Sequence, residues 1–195
     1  MDFELLLQIC QYISLTLFTY LAIKQKTYSW LFWMIFLLAF GYLLHYKHMG
    51  EMIMMQLVYF VLGLYYWIKW IRLDIKVKRL AGSQHLIINM VALCLLAVKV
   101  ALRTRLDDFG LQYDEDLTLF LINLYTLIIL YLIGNKIMSA WVYVGIVNFA
   151  GVFYFFYHSY YFALLYCLVI TGLSIYGYIS WYEESKGEED SDLAD

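Results

Sequence analysis

The chain has 195 residues, 64% of them apolar and 15% charged, with a formal net charge of −3 and a mean hydropathy of +0.70. So apolar a composition excludes an ordinary soluble domain, which needs more polar surface to face water. The net charge says little about partners, since much of the acid lies in the last residues, and no nucleic-acid partner is expected.

Seven apolar stretches follow in order, approximately 5–23, 30–46, 51–70, 84–102, 116–134, 139–157 and 160–182. Each is near the roughly 20 residues that span a hydrocarbon core. Helices are expected, because lipid offers backbone groups no partner outside the segment or a closed barrel, and the stretches lack the alternation of barrel strands. The fold class is therefore all-α and polytopic, with seven transmembrane helices.

Between the spans, charge is uneven. The first-to-second, third-to-fourth and fifth-to-sixth connections and the tail carry Lys24, Lys26, Lys69, Arg72, Lys76, Lys78, Arg79, Lys136 and Lys186, against Lys47, Lys99, Arg103 and Arg105 on the other side. Positive charge marks the cytoplasm, which predicts an outside N-terminus and a cytoplasmic C-terminus. All six tryptophans (Trp30, Trp33, Trp67, Trp70, Trp141, Trp181) then fall at or near cytoplasmic helix ends, where an aromatic belt is the simple explanation. The loop IRLDIKVKRLAGSQ reads as a basic cytoplasmic connector with phospholipid contact as a secondary role, and RTRLDDFGLQYDED as a charged external loop. From Glu183 onward the chain is acidic without an apolar face, and a disordered tail is expected. No cleavable signal peptide is evident, since Asp2 and Glu4 stand where a basic segment would be.

The stretch Trp30–Trp70 has a twin in Trp141–Trp181. The two align without a gap, with identity at ten of 41 positions, including Tyr46 with Tyr157 and Tyr65 with Tyr176. Roughly three or four identities would arise by chance, so the chain contains an internal repeat. Extended backwards, the copies cover helices one to three (1–70) and five to seven (112–182), with a connector and linking fourth helix between them (71–111) and the tail at 183–195. An odd number of helices per copy would invert the second copy, and the fourth helix restores the direction. The expected plan is 3+1+3 with two parallel three-helix repeats, a SWEET-like arrangement that places substrate between the halves.

Polar residues inside spans are the candidates for chemistry. Asn148 lies near the centre of the sixth span, Trp141 two turns earlier on nearly the same face, and Gln56 and Tyr59 share a face of the third. Asn123 is a further intramembrane amide. Leu37 is the twin of Asn148 and Cys167 the twin of Gln56, so the halves have divided their polar groups, as one asymmetric ligand requires. The competing role for these amides is to join helices, at about 1 kcal/mol each. The span glycines, including Gly63, Gly145, Gly172 and Gly177, read first as packing positions and second as hinges. Cys10, Cys94 and Cys167 lack ligand spacing and read as free apolar thiols.

No Asp or Glu lies deep in a span, which favours a passive facilitator over an ion-driven pump. The four histidines lack metal-ligand spacing, and no nucleophile–base constellation is present. The reading is a non-enzyme without cofactor or metal.

The stretch MQLVYFVLGLYYWIKW, at Gln56, Tyr59, Phe60, Tyr65 and Trp67, resembles the third helix of the PnuC family of bacterial vitamin-precursor transporters. WVYVGIVN and the following YHSYYFALLY resemble its sixth helix and the turn into the seventh. The resemblance implies facilitated diffusion of nicotinamide riboside across the bacterial inner membrane, trapping by a cytoplasmic kinase, and a homotrimer. For such a carrier the candidate substrate-binding residues are Trp141 for ring stacking, Asn148 and Gln56 for hydrogen bonds to amide or sugar, and Tyr59 as a lining residue. The family's riboside carriers show W-x-x-W-x-x-x-N in the sixth helix. Here Trp141 and Asn148 match and Val144 takes the middle position, which keeps a thiamine carrier of the same family open. A non-transporting receptor or structural subunit is the reading from another class.

Overall fold

In the computed structural model, residues 3–46, 50–108 and 117–192 are described. They form seven helices: α1 (Phe3–Ile23), α2 (Ser29–Tyr46), α3 (Gly50–Arg72), α4 (Gly82–Asp108), α5 (Leu117–Gly134), α6 (Ala140–Tyr157) and α7 (Tyr161–Asp192). Six are long and apolar enough to cross a membrane, while α5 is apolar over the shorter stretch Phe120–Gly134. The chain is a polytopic all-helical membrane protein. The sequence contains no proline, so nothing removes an N–H from a helix interior.

The chain forms two compact units. The first comprises Met1–Arg79 with Ile129–Asp195, and the second Leu80–Ile128. In the first unit α1 packs on α2 and α7, α2 on α3, and α6 on α7. The second holds α4, most of whose apolar residues, such as Leu86, Met90 and Leu93, are exposed, and the start of α5.

Tight turns end α1 and α5 in the same way. Lys26 N–H bonds Leu21 C=O at 2.9 Å and Gln25 N–H bonds Ala22 C=O at 2.9 Å. At the second site Ile137 N–H bonds Leu132 C=O at 2.8 Å and Lys136 N–H bonds Ile133 C=O at 2.9 Å. This is the paired closure that satisfies the last carbonyls of a helix, and it requires a left-handed residue. Gln25 (φ 53°) and Lys136 (φ 51°) supply it without being glycine. Beside the second turn the basic connector pairs in an isolated bridge, Lys78 N–H to Lys136 C=O and Met138 N–H to Lys78 C=O, both at 2.9 Å.

Tryptophans pin these turns. Trp70 on α3 donates its indole N–H to Gly134 C=O at 3.0 Å, and Trp181 on α7 donates to Ile23 C=O at 2.9 Å. Trp30 meets Trp70 edge-on (5.6 Å between centroids, 89°), and Trp141 meets Trp181 edge-on (5.2 Å, 81°). Each of these features recurs 111 residues later in the chain, the offset of the sequence repeat. Trp30, Trp33, Trp70, Trp141 and Trp181 are all buried in protein. For these five the expected lipid-facing belt is therefore corrected: their rings fill the helix packing, and the N–H groups of Trp33, Trp70 and Trp181 are spent on protein carbonyls.

Two boundaries also differ from expectation. The acidic segment from Glu183 continues α7 as far as Asp192, where a disordered tail was expected. Glu and Lys are good helix formers, and a helix already running through Trp181 needs no new nucleation. The junction is held by Gln25 bonded to Glu184, by Arg79 Nε donating to Ser185 Oγ at 3.0 Å, and by Arg79 and Lys186 over the Tyr182 ring at 4.7 and 5.1 Å. Likewise α4 runs on through residues 103–108, which the sequence reading assigned to the external loop. The remainder of that loop (109–116) and residues 193–195 lie outside the described residues.

Candidate binding site

The tryptophan pairs and the two turns they pin place Ile23, Trp30, Trp70, Gly134, Trp141 and Trp181 in one layer. At 1.5 Å per residue along a helix, this layer serves as a depth marker for the candidate residues. Asn148 lies about 10 Å from it, Tyr59 about 16 Å and Gln56 about 21 Å.

Asn148 is half-buried, and its Nδ2 donates to Val144 C=O one turn back at 2.9 Å. The bond fixes the amide against its own helix and uses one of two N–H groups. Gln56 is 9% exposed, and its Oε1 is sealed from the surface with no protein donor. A buried amide oxygen without a partner costs about 1–3 kcal/mol, so this atom is suited to a ligand donor or a water. Tyr59 is buried one turn further along α3; its carbonyl accepts the Trp33 indole N–H at 3.4 Å, and the two rings meet at 6.4 Å.

Trp141 is 1% exposed, and its Nε1–H finds no acceptor. One face is closed by α7: a Cβ added at Gly177 would sit 2.7 Å from its Cδ2. Its twin Trp30 is equally buried with an equally unpartnered Nε1–H. In this conformation Trp141 offers an unused donor, and the face against α7 is not open for stacking.

Gln56 and Tyr59 thus stand on α3, and Trp141 and Asn148 on α6. The extensively packed helix pairs do not include α3 with α6. Asn123 belongs to the second unit.

Val144 is buried like its twin Trp33, yet the two sites are filled differently. In the first repeat Trp33 and Met34 lie over Gly63, each 2.7 Å from where a Cβ would be. In the second, Gly145 faces Ser174, whose Oγ is 2.8 Å from a Cβ built on the glycine. Trp33 and Met34 correspond to Val144 and Gly145, while Gly63 corresponds only to Ser174, so the second site holds less side-chain bulk. A groove of about 360 Å³ lies between α6 and α7, lined by Gly145, Thr171 and Ser174 but not by Val144. Its rim residues Ile146, Phe149 and Ile175 are exposed, and the Thr171 and Ser174 hydroxyls already donate to Cys167 and Thr171 carbonyls at 2.8 and 2.7 Å. It opens away from the helix packing and offers a ligand little polar chemistry.

One residue was overlooked in the sequence. Gln11 on α1 is 7% exposed, and its Nε2 is buried without a partner. The signal that singled out Gln56, an amide within an apolar span, applies to it equally.

Neutral amides and aromatic rings, with no ionised group among them, suit an uncharged polar ligand or a delocalised aromatic cation. A family model described as nicotinamide mononucleotide transporter matches residues 5–183. Among solved structures, the fold is similar to the crystal structure of the vitamin B3 transporter PnuC, with TM-score 0.73 and 16% identity, over 92% of this chain and 82% of that chain. At that identity the likeness speaks for the fold. No curated protein sequence matches. The family model reaches into all seven helices, and the chain belongs to the nicotinamide mononucleotide transporter family of membrane transporters, not to an enzyme class.

Proposed function

We propose that the protein is a facilitator that imports a vitamin precursor, nicotinamide riboside, by passive diffusion, the product being trapped by a cytoplasmic kinase. The observation that carries this reading is the set of buried, unpartnered polar atoms, Gln56 Oε1 and Trp141 Nε1, with the half-buried amide of Asn148, in a membrane transporter of this family. Neutral donors and acceptors at that depth can hold an amide and a ribose without a carboxylate or a driving ion. In the proposal Gln56 and Asn148 hydrogen-bond amide or sugar, Trp141 contributes its indole, and Tyr59 lines the path.

The architecture proposed is seven membrane-crossing helices in a 3+1+3 plan with two parallel repeats. The recurrence of turns, indole bonds and ring pairs at one offset supports it. The charge distribution supports an outside N-terminus and a cytoplasmic C-terminus in a bacterial inner membrane. A homotrimer is part of the proposal through the family resemblance alone.

A second substrate is favoured by one observation. Val144 stands where the family's riboside carriers have tryptophan, and it removes an aromatic face from the sixth helix. Thiamine, also an aromatic cation, is the ligand that this change fits next. Calorimetric titration of the purified protein with nicotinamide riboside, thiamine and riboflavin separates the two. Saturable binding of the riboside alone is expected, and thiamine binding without riboside binding contradicts the substrate assignment.

A further inference from the structure

We infer that Gln11 is a third ligand-binding amide, contributed by α1, which receives a polar group of the substrate through its Nε2. The inference rests on the transporter reading above and adds to it a residue and a helix.

Three observations converge. First, Gln11 is buried while its Nε2 has no acceptor, although its neighbours are engaged: Gln8 Nε2 donates to Glu4 Oε1 at 3.5 Å, and Ser14 Oγ lies 4.0 Å from Cys10 Sγ. An amide held in an apolar span without a partner is destabilising unless something else supplies the acceptor.

Second, the face of α1 that carries Gln11 and the face of α3 that carries Gln56 both reach the same α2 residue, Trp33, while α1 and α3 are not themselves an extensively packed pair. Gln11, Ser14 and Phe18 form its buried stripe. Phe18 packs on Trp33 at 5.3 Å, and Trp33 in turn touches Tyr59 by ring and by hydrogen bond. Gln11 is two turns from Phe18, and Gln56 one turn from Tyr59, each on the same helix face as its partner. Both faces converge on Trp33. The neighbouring Tyr12 stacks on Tyr166 of α7 (5.1 Å, 28°), which fixes α1 at this level.

Third, depth and asymmetry agree. Gln11 lies about 18 Å from the tryptophan layer, between Asn148 at about 10 Å and Gln56 at about 21 Å. The three amides therefore span about 10 Å of depth, the length of a small nucleoside. Their twins are Ile122, Leu37 and Cys167, none with an amide. A polar group present once in a duplicated frame is what an asymmetric ligand requires and what a repeated structural bond does not.

The test compares wild-type protein with Gln11→Leu and Gln11→Glu by thermal unfolding without ligand and by titration with nicotinamide riboside, thiamine and riboflavin. Expected is an unliganded Gln11→Leu protein at least as stable as wild type, since an unmet amide has been removed, together with at least a tenfold loss of affinity for the ligand that wild type binds. Undiminished binding by Gln11→Leu overturns this role alone and leaves the transporter reading standing. A large stability loss in the unliganded variant, with the Gln11→Glu protein also unfolding early, shows a structural bond and overturns the role likewise. Wild-type protein that binds none of the three compounds overturns the transporter reading and this inference with it.

Discussion

The indole N–H of Trp181 ends on the carbonyl of Ile23 at 2.9 Å, so a residue near the end of the last apolar span closes the last turn of the first helix. Trp70 does the same for Gly134 at 3.0 Å. Each bond reaches a carbonyl left without an intrahelical donor, and each joins a helix of one repeat to a helix of the other. Trp70→Phe and Trp181→Phe should each destabilise the protein by about 1–2 kcal/mol, because the ring packing survives while the carbonyl loses its donor. Thermal unfolding in detergent checks this, and a loss confined to one of the two variants would show that the bonds are not equivalent.

The left-handed residues at the two turns give a second, asymmetric expectation. Gln25→Gly should stabilise by a net of up to about 0.5 kcal/mol, since glycine adopts positive φ without a Cβ penalty while the exposed bond to Glu184 is lost. Lys136→Gly should gain less, because it also removes the ammonium that lies 5.3 Å from the Trp70 ring. Equal gains in unfolding temperature would argue against the cation–ring contribution.

Glycines on the same helix should behave differently if packing is their role. A Cβ at Gly177 would stand 2.7 Å from Trp141 and 2.9 Å from Ile23, whereas one at Gly172 meets nothing within 4 Å. Gly177→Ala should cost about 1–3 kcal/mol by overpacking. Gly172→Ala should be neutral or stabilising by up to about 1 kcal/mol through helix propensity. If Gly172→Ala instead slowed transport without changing stability, a hinge would be the better account of that position.

The smaller side-chain bulk at the Val144 site of the second repeat can be tested by restoring the larger residue. The twin of the glycine beneath Trp33 is Ser174, and Val144→Trp restores the aromatic of the twin site. It should destabilise by about 1–3 kcal/mol, and adding Ser174→Gly should recover part of the loss. Strictly additive effects in a double-mutant cycle would show that the two positions do not share the space.

Much of the frame was legible in the sequence, and the reasons differ by feature. Span positions followed from hydropathy, and α2, for example, begins and ends within a residue of the expected 30–46. The duplication could be read because Trp30 with Trp141 and Trp70 with Trp181 are identical and ungapped, and the structure gives these four residues equivalent packing. What could not be read was where a tryptophan's ring would go. Position near a helix end suits both a lipid-facing belt and a buried clasp, and only the carbonyls of Ile23 and Gly134 distinguish them. The continuation of α7 past Glu183 was hidden for a similar reason: local acidity argued for a solvated tail, while the support comes from Gln25 and Arg79, far away in sequence. For the site, amide positions were visible but their hydrogen-bonding state was not. Asn148 turned out to be bonded to its own helix, and Gln56 to carry an oxygen without a protein donor.

The central claim, a passive vitamin-precursor carrier that uses intramembrane amides, is tested most directly by uptake of labelled nicotinamide riboside into reconstituted vesicles. Wild-type protein should give saturable uptake that needs neither a proton nor a sodium gradient, and Asn148→Leu protein, folded and inserted, should lose at least tenfold of it. Uptake no greater than in empty liposomes, or uptake undiminished in Asn148→Leu, would contradict the account.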